Sequence, residues 1–94
     1  MANLFLKGET VICLRNVKDD SGEYTDPATS MTISITDSNN GPEVDEEGMV
    51  KDSTGHYHYD YTIPAGALRG DYIVTYTATD GARISKHKDK FVVE

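Results

Sequence analysis

The sequence predicts an all-β fold, a sandwich of seven strands in two antiparallel layers. Polar residues alternate with β-branched and aromatic ones in seven short segments, and no long stretch keeps the apolar spacing of an amphipathic helix. Gly, Pro, Asn and Asp interrupt these segments roughly every 8–12 residues, which is typical of β-sandwiches. With 94 residues the chain has the length of one domain, expected over residues 1–94. A small closed barrel is the alternative all-β architecture.

The early segments differ in how their apolar side chains alternate. The second has apolar residues at every position from 11 to 14, so both of its faces are apolar and we expect a central strand. In the third, Met31, Ile33 and Ile35 alternate with hydroxyl side chains, which predicts a strand buried on one face. The fourth, residues 44–51, is interrupted by acids and predicts a short, weak strand.

Turn signals separate the later segments. Residues 37–42 include Asn40-Gly41, a pair suited to positive φ, and Asp80-Gly81 predicts a tight hairpin. The clearest alternation precedes that hairpin, over residues 71–79. The seven predicted strands cover residues 4–7, 10–17, 30–36, 44–51, 56–63, 71–79 and 83–93.

Charge and composition exclude several classes of partner. The net charge of −7 arises in residues 1–47, which hold ten acids and three basic residues, whereas residues 48–94 hold six of each. An acidic chain repels phosphate, so we expect no nucleic acid partner. No apolar run approaches the ~20 residues of a membrane span, and we expect no membrane insertion. The single cysteine, Cys13, rules out an intrachain disulfide, and no motif indicates a cofactor.

The segment from Leu68 to Gly81, Leu-Arg-Gly-Asp-Tyr-Ile-Val-Thr-Tyr-Thr-Ala-Thr-Asp-Gly, resembles the penultimate strand of immunoglobulin-like and fibronectin-type domains. It is similar in particular to bacterial immunoglobulin-like and hyalin-repeat modules. The motif Gly55-x-Tyr57-x-Tyr59 and the opening around Gly8 share this likeness. The resemblance implies a seven-stranded immunoglobulin-like sandwich of two antiparallel sheets with Greek-key connections.

The same resemblance assigns a structural role to Tyr72, which stands where such domains carry a tyrosine corner. Its hydroxyl is expected to bond to nearby backbone and to fix the preceding loop. Antibody-type domains place a cysteine two residues later, where this chain has Val74. We therefore expect Val74 to pack against Cys13, as in disulfide-free relatives.

The strongest local motif for metal binding is His56, His58 and Asp60. On a strand these side chains share one face, and two imidazoles with a carboxylate are suitable ligands for Zn²⁺. The alternative interpretation, which we prefer, is that the intervening tyrosines pack inward while the His-His-Asp face meets water. Those tyrosines are Tyr57, Tyr59 and Tyr61.

Two acidic loops also carry oxygen ligands suited to Ca²⁺. Residues 37–47 lack the glycine that an EF-hand requires at its sixth position, where Pro42 stands instead. We interpret these carboxylates, and those of the loop over residues 18–27, as solvated surface groups. Their net effect is solubility.

Lys86, Lys88 and Lys90 share one face of the last predicted strand. Lysines on a sheet edge ordinarily prevent edge-to-edge aggregation. The alternative is an assembly surface that docks on the acidic residues 37–47 of another copy, which predicts salt-dependent self-association.

The chain lacks the motifs of nucleophilic catalysis, and Cys13 is expected to lie buried and unreactive. We therefore expect a non-catalytic module that binds another protein or copies of itself. The apolar start at Leu4 is too short for a signal peptide, so synthesis in the cytoplasm is expected. A phage virion accessory protein is the leading hypothesis. The alternatives are an adhesion or spacer module of a longer cell-surface or secreted protein, and a small metal-binding protein.

Overall fold

The computed structural model describes residues 4–94, and in this range the chain forms eight strands and no helix. The alternation of polar with β-branched and aromatic side chains explains the strands, since it suits a surface buried on one face. The strands are β1 (Leu4–Phe5), β2 (Thr10–Asn16), β3 (Ser30–Thr36), β4 (Pro42–Gly48), β5 (Val50–Ser53), β6 (His56–Thr62), β7 (Gly70–Asp80) and β8 (Arg83–Val93).

The strands form two sheets that pack as a β-sandwich. One sheet has five strands in the order β1-β8-β7-β3-β4, and the other has three in the order β2-β6-β5. All pairs are antiparallel except β1 with β8, where Leu4 lies beside Val92 and Phe5 beside Val93 in parallel. The all-β, two-layer prediction is confirmed. The expectation that both sheets are antiparallel is wrong for this short first strand, because β1 runs alongside the end of β8.

The eighth strand arises because the segment predicted as one strand over residues 44–51 is two strands. β4 pairs with β3 in the five-stranded sheet, whereas β5 pairs with β6 in the other. The chain changes sheets at Met49, whose N–H donates to the carbonyl of Met31 at 3.0 Å. β4 is irregular, with two register shifts and a positive φ of 49° at Glu46. Because only Val44 is buried in these two strands, their side chains carry almost no alternation for a sequence pattern to detect.

The core lies between β2 and β6 on one side and β3, β7 and β8 on the other. Met31, Ile33 and Ile35 all face it, as predicted. The Tyr72 ring stacks on Phe91 with centroids 5.1 Å apart. Burying a side chain of this size stabilises the fold by about 1.5–3 kcal/mol. The buried apolar residues are Val11, Cys13, Met31, Ile33, Ile35, Val44, Tyr57, Tyr61, Ile63, Ala67, Tyr72, Val74, Tyr76, Phe91 and Val93.

The position of β2 contradicts the prediction of a central strand. β2 pairs with β6 and lies at one edge of the three-stranded sheet. Val11 and Cys13 are buried, but Ile12 and Leu14 on the opposite face are 62% and 66% exposed. Apolar residues on both faces are typical of a strand covered on both sides. Here the outer face has no cover among the described residues.

Candidate functional site

The backbone of β2 presents an open edge. Val17 donates its N–H to Gly55, and Ile63 donates to Glu9, so odd-numbered residues of this segment bond toward β6. In an antiparallel ladder the alternate residues direct their N–H and C=O groups to the other side. In β2 those alternate residues include Ile12 and Leu14. The edge therefore offers backbone donors and acceptors to a further strand.

The outer face beside this edge is apolar. Leu14, His58 and Val50 lie in one row across β2, β6 and β5, and Val50 is 53% exposed. Asp60 lies opposite Ile12 and is exposed. Long edge strands usually carry protective charges, and β2 has none from Thr10 to Leu14.

The inner side of the edge opens on a groove of about 260 Å³ between β2 and β8. The groove exists because the five-stranded sheet extends beyond β2. His87 and Asp89 pair with the buried Tyr76 and Val74 and so share the inner face of the sheet, yet both are exposed. The lining residues are Phe5, Val11, Ile12, Cys13, Leu14, Val74, Tyr76, Asp89, Lys90 and Phe91.

A second cleft, of about 420 Å³, continues past Tyr76, which lines both cavities. Both basic and acidic residues line this cleft, including Arg15, Arg83, Asp20 and Asp80. Together the two cavities follow the open side of the sandwich, where an added strand of the three-stranded sheet would lie.

Cys13 forms part of the groove floor and is unsuited to nucleophilic chemistry. Burial raises the pKa of its thiol to about 11, against a weaker lowering by its hydrogen bond with Tyr76. A thiol with this pKa is almost entirely protonated at neutral pH. Cys13 and Val74 both belong to the buried core and both line this groove.

Asp26 ties together three parts of the chain, although the sequence places it in a loop interpreted as solvated. It accepts hydrogen bonds from Lys51 Nζ at 2.6 Å, from the Gly55 N–H at 2.9 Å and from the Tyr57 hydroxyl at 3.0 Å. These bonds, led by the one from Lys51, hold the pKa of Asp26 below its usual value. The interpretation as a solvated carboxylate is wrong for this residue, since it anchors the loop between β2 and β3.

Tyr72 makes the contact that the resemblance implied. Its buried ring directs the hydroxyl to the Leu68 carbonyl, which accepts a hydrogen bond at 2.8 Å. Burial raises the pKa of Tyr72, which keeps the phenol protonated as a donor. The Tyr61 hydroxyl is also buried but has no hydrogen-bond partner within residues 4–94.

The candidate metal ligands alternate along β6 with the three tyrosines expected to pack inward. Of these, Tyr57 and Tyr61 are buried and Tyr59 is half-buried against the core. Instead of converging, the imidazoles turn to neighbouring strands. His56 Nδ1 is 2.9 Å from Asn16 Oδ1, and His58 Nδ1 is 2.6 Å from Asp52 Oδ1. Across the part of the chain that the structure describes, no three His, Cys, Asp or Glu side chains cluster as a metal site would require.

The carboxylates of two loop residues accept hydrogen bonds from backbone N–H groups of their own turns. The Asp37 carboxylate accepts from the N–H groups of Asn39 and Gly41, and Asp19 accepts from those of Ser21 and Glu23 in the same way. In both residues the accepting atom is Oδ1, and such bonds stabilise the turn. Asn40 has the predicted positive φ, at 59°.

The lysines at 86, 88 and 90 are exposed on β8. By register they alternate with His87 and Asp89, opposite Thr77, Thr75 and Ile73 of β7, and Lys90 also borders the groove. Asp71 lies 3.7 Å from Lys90 and forms a loose, exposed ion pair with it.

Comparison with known proteins gave no family for this chain. No family model matches it, and neither the curated proteins nor the solved structures include a significant match. Residues 4–94 contain no helix of the length and apolarity needed to cross a bilayer.

Proposed function

We propose that this protein is a non-catalytic binding module that captures an extended segment of another protein along β2. The observation that carries the proposal is the exposure of Ile12 and Leu14 on a strand whose outward backbone groups point to solvent. Adding a strand to an open edge is a recurrent mode of peptide recognition. Backbone hydrogen bonds supply affinity in this mode, and alternate side chains supply specificity.

The groove favours a single strand over a second folded domain at this edge. β8 extends beyond β2, so one added strand would pack against His87 and Asp89 on the inner face of the five-stranded sheet. A complete second sandwich approaching in the plane of the sheet would bring its own wide sheet against β8. The overhang therefore favours an extended peptide as the partner.

The side chains of such a peptide would meet two environments. Residues facing inward would contact the apolar floor formed by Val11, Cys13 and Tyr76. Residues facing outward would lie beside Ile12 and Leu14. We expect the partner to carry small or apolar residues at alternate positions.

We further propose that the sandwich is immunoglobulin-like. A three-stranded β2-β6-β5 sheet facing a β8-β7-β3-β4 sheet follows the strand order of immunoglobulin domains, with β1 added at the end of β8. The hydroxyl bond of Tyr72 to Leu68 supports the same assignment. On this proposal the connections are of the Greek-key type.

Selection of extended peptides against the purified protein tests the binding proposal. Selected peptides should shift the NMR signals of β2, and Ile12→Pro should weaken their binding at least tenfold. Proline at this position removes an outward N–H that the β2–β6 ladder does not use. Leu14→Lys should act similarly, whereas Val50→Lys, on the opposite edge of the same face, should leave binding unchanged. Peptides that bind Ile12→Pro as well as the original protein contradict the proposal.

The biological setting of the protein is also a proposal, and gene neighbours rather than binding experiments test it. A virion accessory protein of phage origin and a module of a longer surface protein both require a non-catalytic binding domain. Gene neighbours separate them, since capsid and tail genes would support the first and a long surface protein would support the second.

A further inference from the structure

The outer face of the five-stranded sheet is a second surface, separate from the β2 edge. Alternate residues of β3 and β7 point away from the core there. Their register aligns Thr32 with Thr77, Ser34 with Thr75 and Thr36 with Ile73. We call these six residues the hydroxyl face. All six are half-buried, and five of them are Ser or Thr, whose short side chains lose little entropy when covered; the sixth is Ile73.

One border of the hydroxyl face is basic. Lys86, Lys88 and Lys90 lie opposite Thr77, Thr75 and Ile73, at the edge formed by β8. Within residues 4–94, their one salt bridge is the 3.7 Å pair of Lys90 with Asp71, whose side chains are 62% and 60% exposed. An exposed pair of this kind contributes little, and the lysines keep most of their capacity for a further partner.

The opposite border is acidic. The register between β3 and β4 shifts between Ile33 and Ile35, which places both Asp45 and Glu46 opposite Ser34. The Glu46 N–H donates to the Ser34 hydroxyl at 3.1 Å, which fixes this end of the row. Both acids are exposed, and neither forms a salt bridge with a residue in the described range.

The two borders lie in one line across the sheet. Lys88, Thr75, Ser34 and the Asp45-Glu46 pair follow one another over four adjacent strands. With strands about 4.8 Å apart, the positive and negative ends are separated by about 14 Å. This exceeds the Debye length of about 8–10 Å at physiological ionic strength, so the charges of one molecule barely satisfy each other.

Symmetry then determines which partner fits. A two-fold axis in the plane of the face and parallel to the strands brings β8 of one copy over β4 of the other. Lys88 then faces the partner copy's acids at both ends of the interface. An axis perpendicular to the strands would instead place lysines over lysines. Charge complementarity therefore selects one closed arrangement of two copies.

We propose that the hydroxyl face is the interface of a weak, salt-dependent homodimer, with the lysines of each copy on Asp45 and Glu46 of the other. Four strands about eight residues long present a flat area of about 500 Å² per copy. The total of about 1,000 Å² lies at the low end of specific interfaces, so the dimer is reversible. The acids at the interface belong to the segment 37–47 on which the sequence predicts the lysines of another copy to dock, and the assembly closes because both borders lie on one face.

Sedimentation velocity from about 10 µM to about 1 mM protein tests the proposal, because an interface of this size assembles weakly. The runs use about 0.05 M and about 0.5 M NaCl, between which the Debye length falls from roughly 14 Å to 4 Å. We expect the dimer fraction to fall at the higher salt concentration. The charge reversal Lys86→Glu, Lys88→Glu, Lys90→Glu should weaken dimerisation at least tenfold.

A matched control and a rescue complete the design. The reversal Lys7→Glu, Lys18→Glu, Arg69→Glu changes the net charge equally but lies outside the four strands of this face, and it should still dimerise more than the β8 reversal. Mixing the β8 variant with Asp45→Lys, Glu46→Lys should restore a dimer between the two variants. A monomer at every concentration and salt, or equal loss of dimer in the control, would overturn the proposal. Failure here leaves the β2 proposal intact, because Ile12→Pro does not alter this face.

Discussion

At the scale of single residues, the hydroxyls of the buried Tyr72 and Tyr61 lie in contrasting environments. Tyr72 donates to the Leu68 carbonyl at 2.8 Å, whereas the Tyr61 hydroxyl has no partner within residues 4–94. We expect Tyr72→Phe to lower the free energy of unfolding by about 1 kcal/mol, because a native hydrogen bond is lost. Tyr61→Phe should be neutral or stabilising, since it removes an unsatisfied polar group. Urea denaturation of both variants measures the difference, and equal losses would contradict the assigned bonding.

Gly55 occupies a position that a side chain would disrupt. Its φ is +76°, and an added Cβ would lie 2.7 Å from the Val17 carbonyl oxygen and 2.8 Å from Tyr24 Cβ. Gly81 has a φ of +62° with no such neighbours. We expect Gly81→Ala to cost about 1 kcal/mol for the left-handed conformation alone. Gly55→Ala should cost clearly more, because the backbone must also move. Thermal denaturation compares the two, and an equal cost would mean that the turn at Gly55 is not tightly packed.

The Asp26 carboxylate makes stability depend on pH. Its pKa is held below the ordinary value of 3.8, chiefly by the hydrogen bond from Lys51. A lowered folded-state pKa stabilises the fold above the unfolded pKa, and this contribution is lost as the pH falls through the folded one. We expect Asp26→Asn to have a lower Tm than the original chain at neutral pH. The gap should narrow below about pH 4, near the unfolded pKa. A gap that is constant from pH 7 to strongly acidic conditions would contradict this role.

At the scale of elements, the cost of truncating an outward apolar side chain of β2 shows whether β2 is an open edge strand or is covered on both faces. Leu14 is 66% exposed, whereas Ile33 of β3 is completely buried. We expect Leu14→Ala to change the free energy of unfolding by no more than about 0.5 kcal/mol. Ile33→Ala should cost about 2–5 kcal/mol through lost burial and a residual cavity. Chemical denaturation of both variants provides the measurement. A cost of several kcal/mol at Leu14 would indicate that β2 is covered on both faces.

Individual strands could be predicted where burial alternates. The pattern at Met31, Ile33 and Ile35 predicts β3, and the alternation that begins at Tyr72 predicts β7. The alternation of apolar and polar residues could not reveal the division between β4 and β5. Backbone pairing holds these two strands in place, and Val44 is their one buried residue. Because backbone hydrogen bonds do not require particular residue types, the sequence shows no pattern there.

At the scale of the whole molecule, sheet order limits what the sequence can predict about the site. Four successive apolar residues in β2 are compatible with a central strand or with an edge that binds a partner. The choice depends on which strands pair, a long-range property absent from local pattern. The anchoring role of Asp26 was hidden for the same reason, since its partners Lys51, Gly55 and Tyr57 are distant in sequence.

The sequence predicts only part of the charged surface on the five-stranded sheet. The lysines of β8 could be assigned to one face from alternation alone. Their relation to Asp45 and Glu46 needed the order β8-β7-β3-β4 and the register shift in β4. The five-stranded sheet thus carries a charge-paired face, while the narrower sheet carries the open edge. We propose both as separate surfaces for protein contacts.

Amide hydrogen exchange along β2 tests the open edge most directly. Cys13 should exchange slowly because its N–H bonds to β6, whereas Ile12 and Leu14 should exchange about 100-fold faster. Measured by NMR on the dilute protein, this alternation is the expected result. Equal protection of Ile12, Cys13 and Leu14 would show that another strand already covers β2, and would contradict the proposed binding edge.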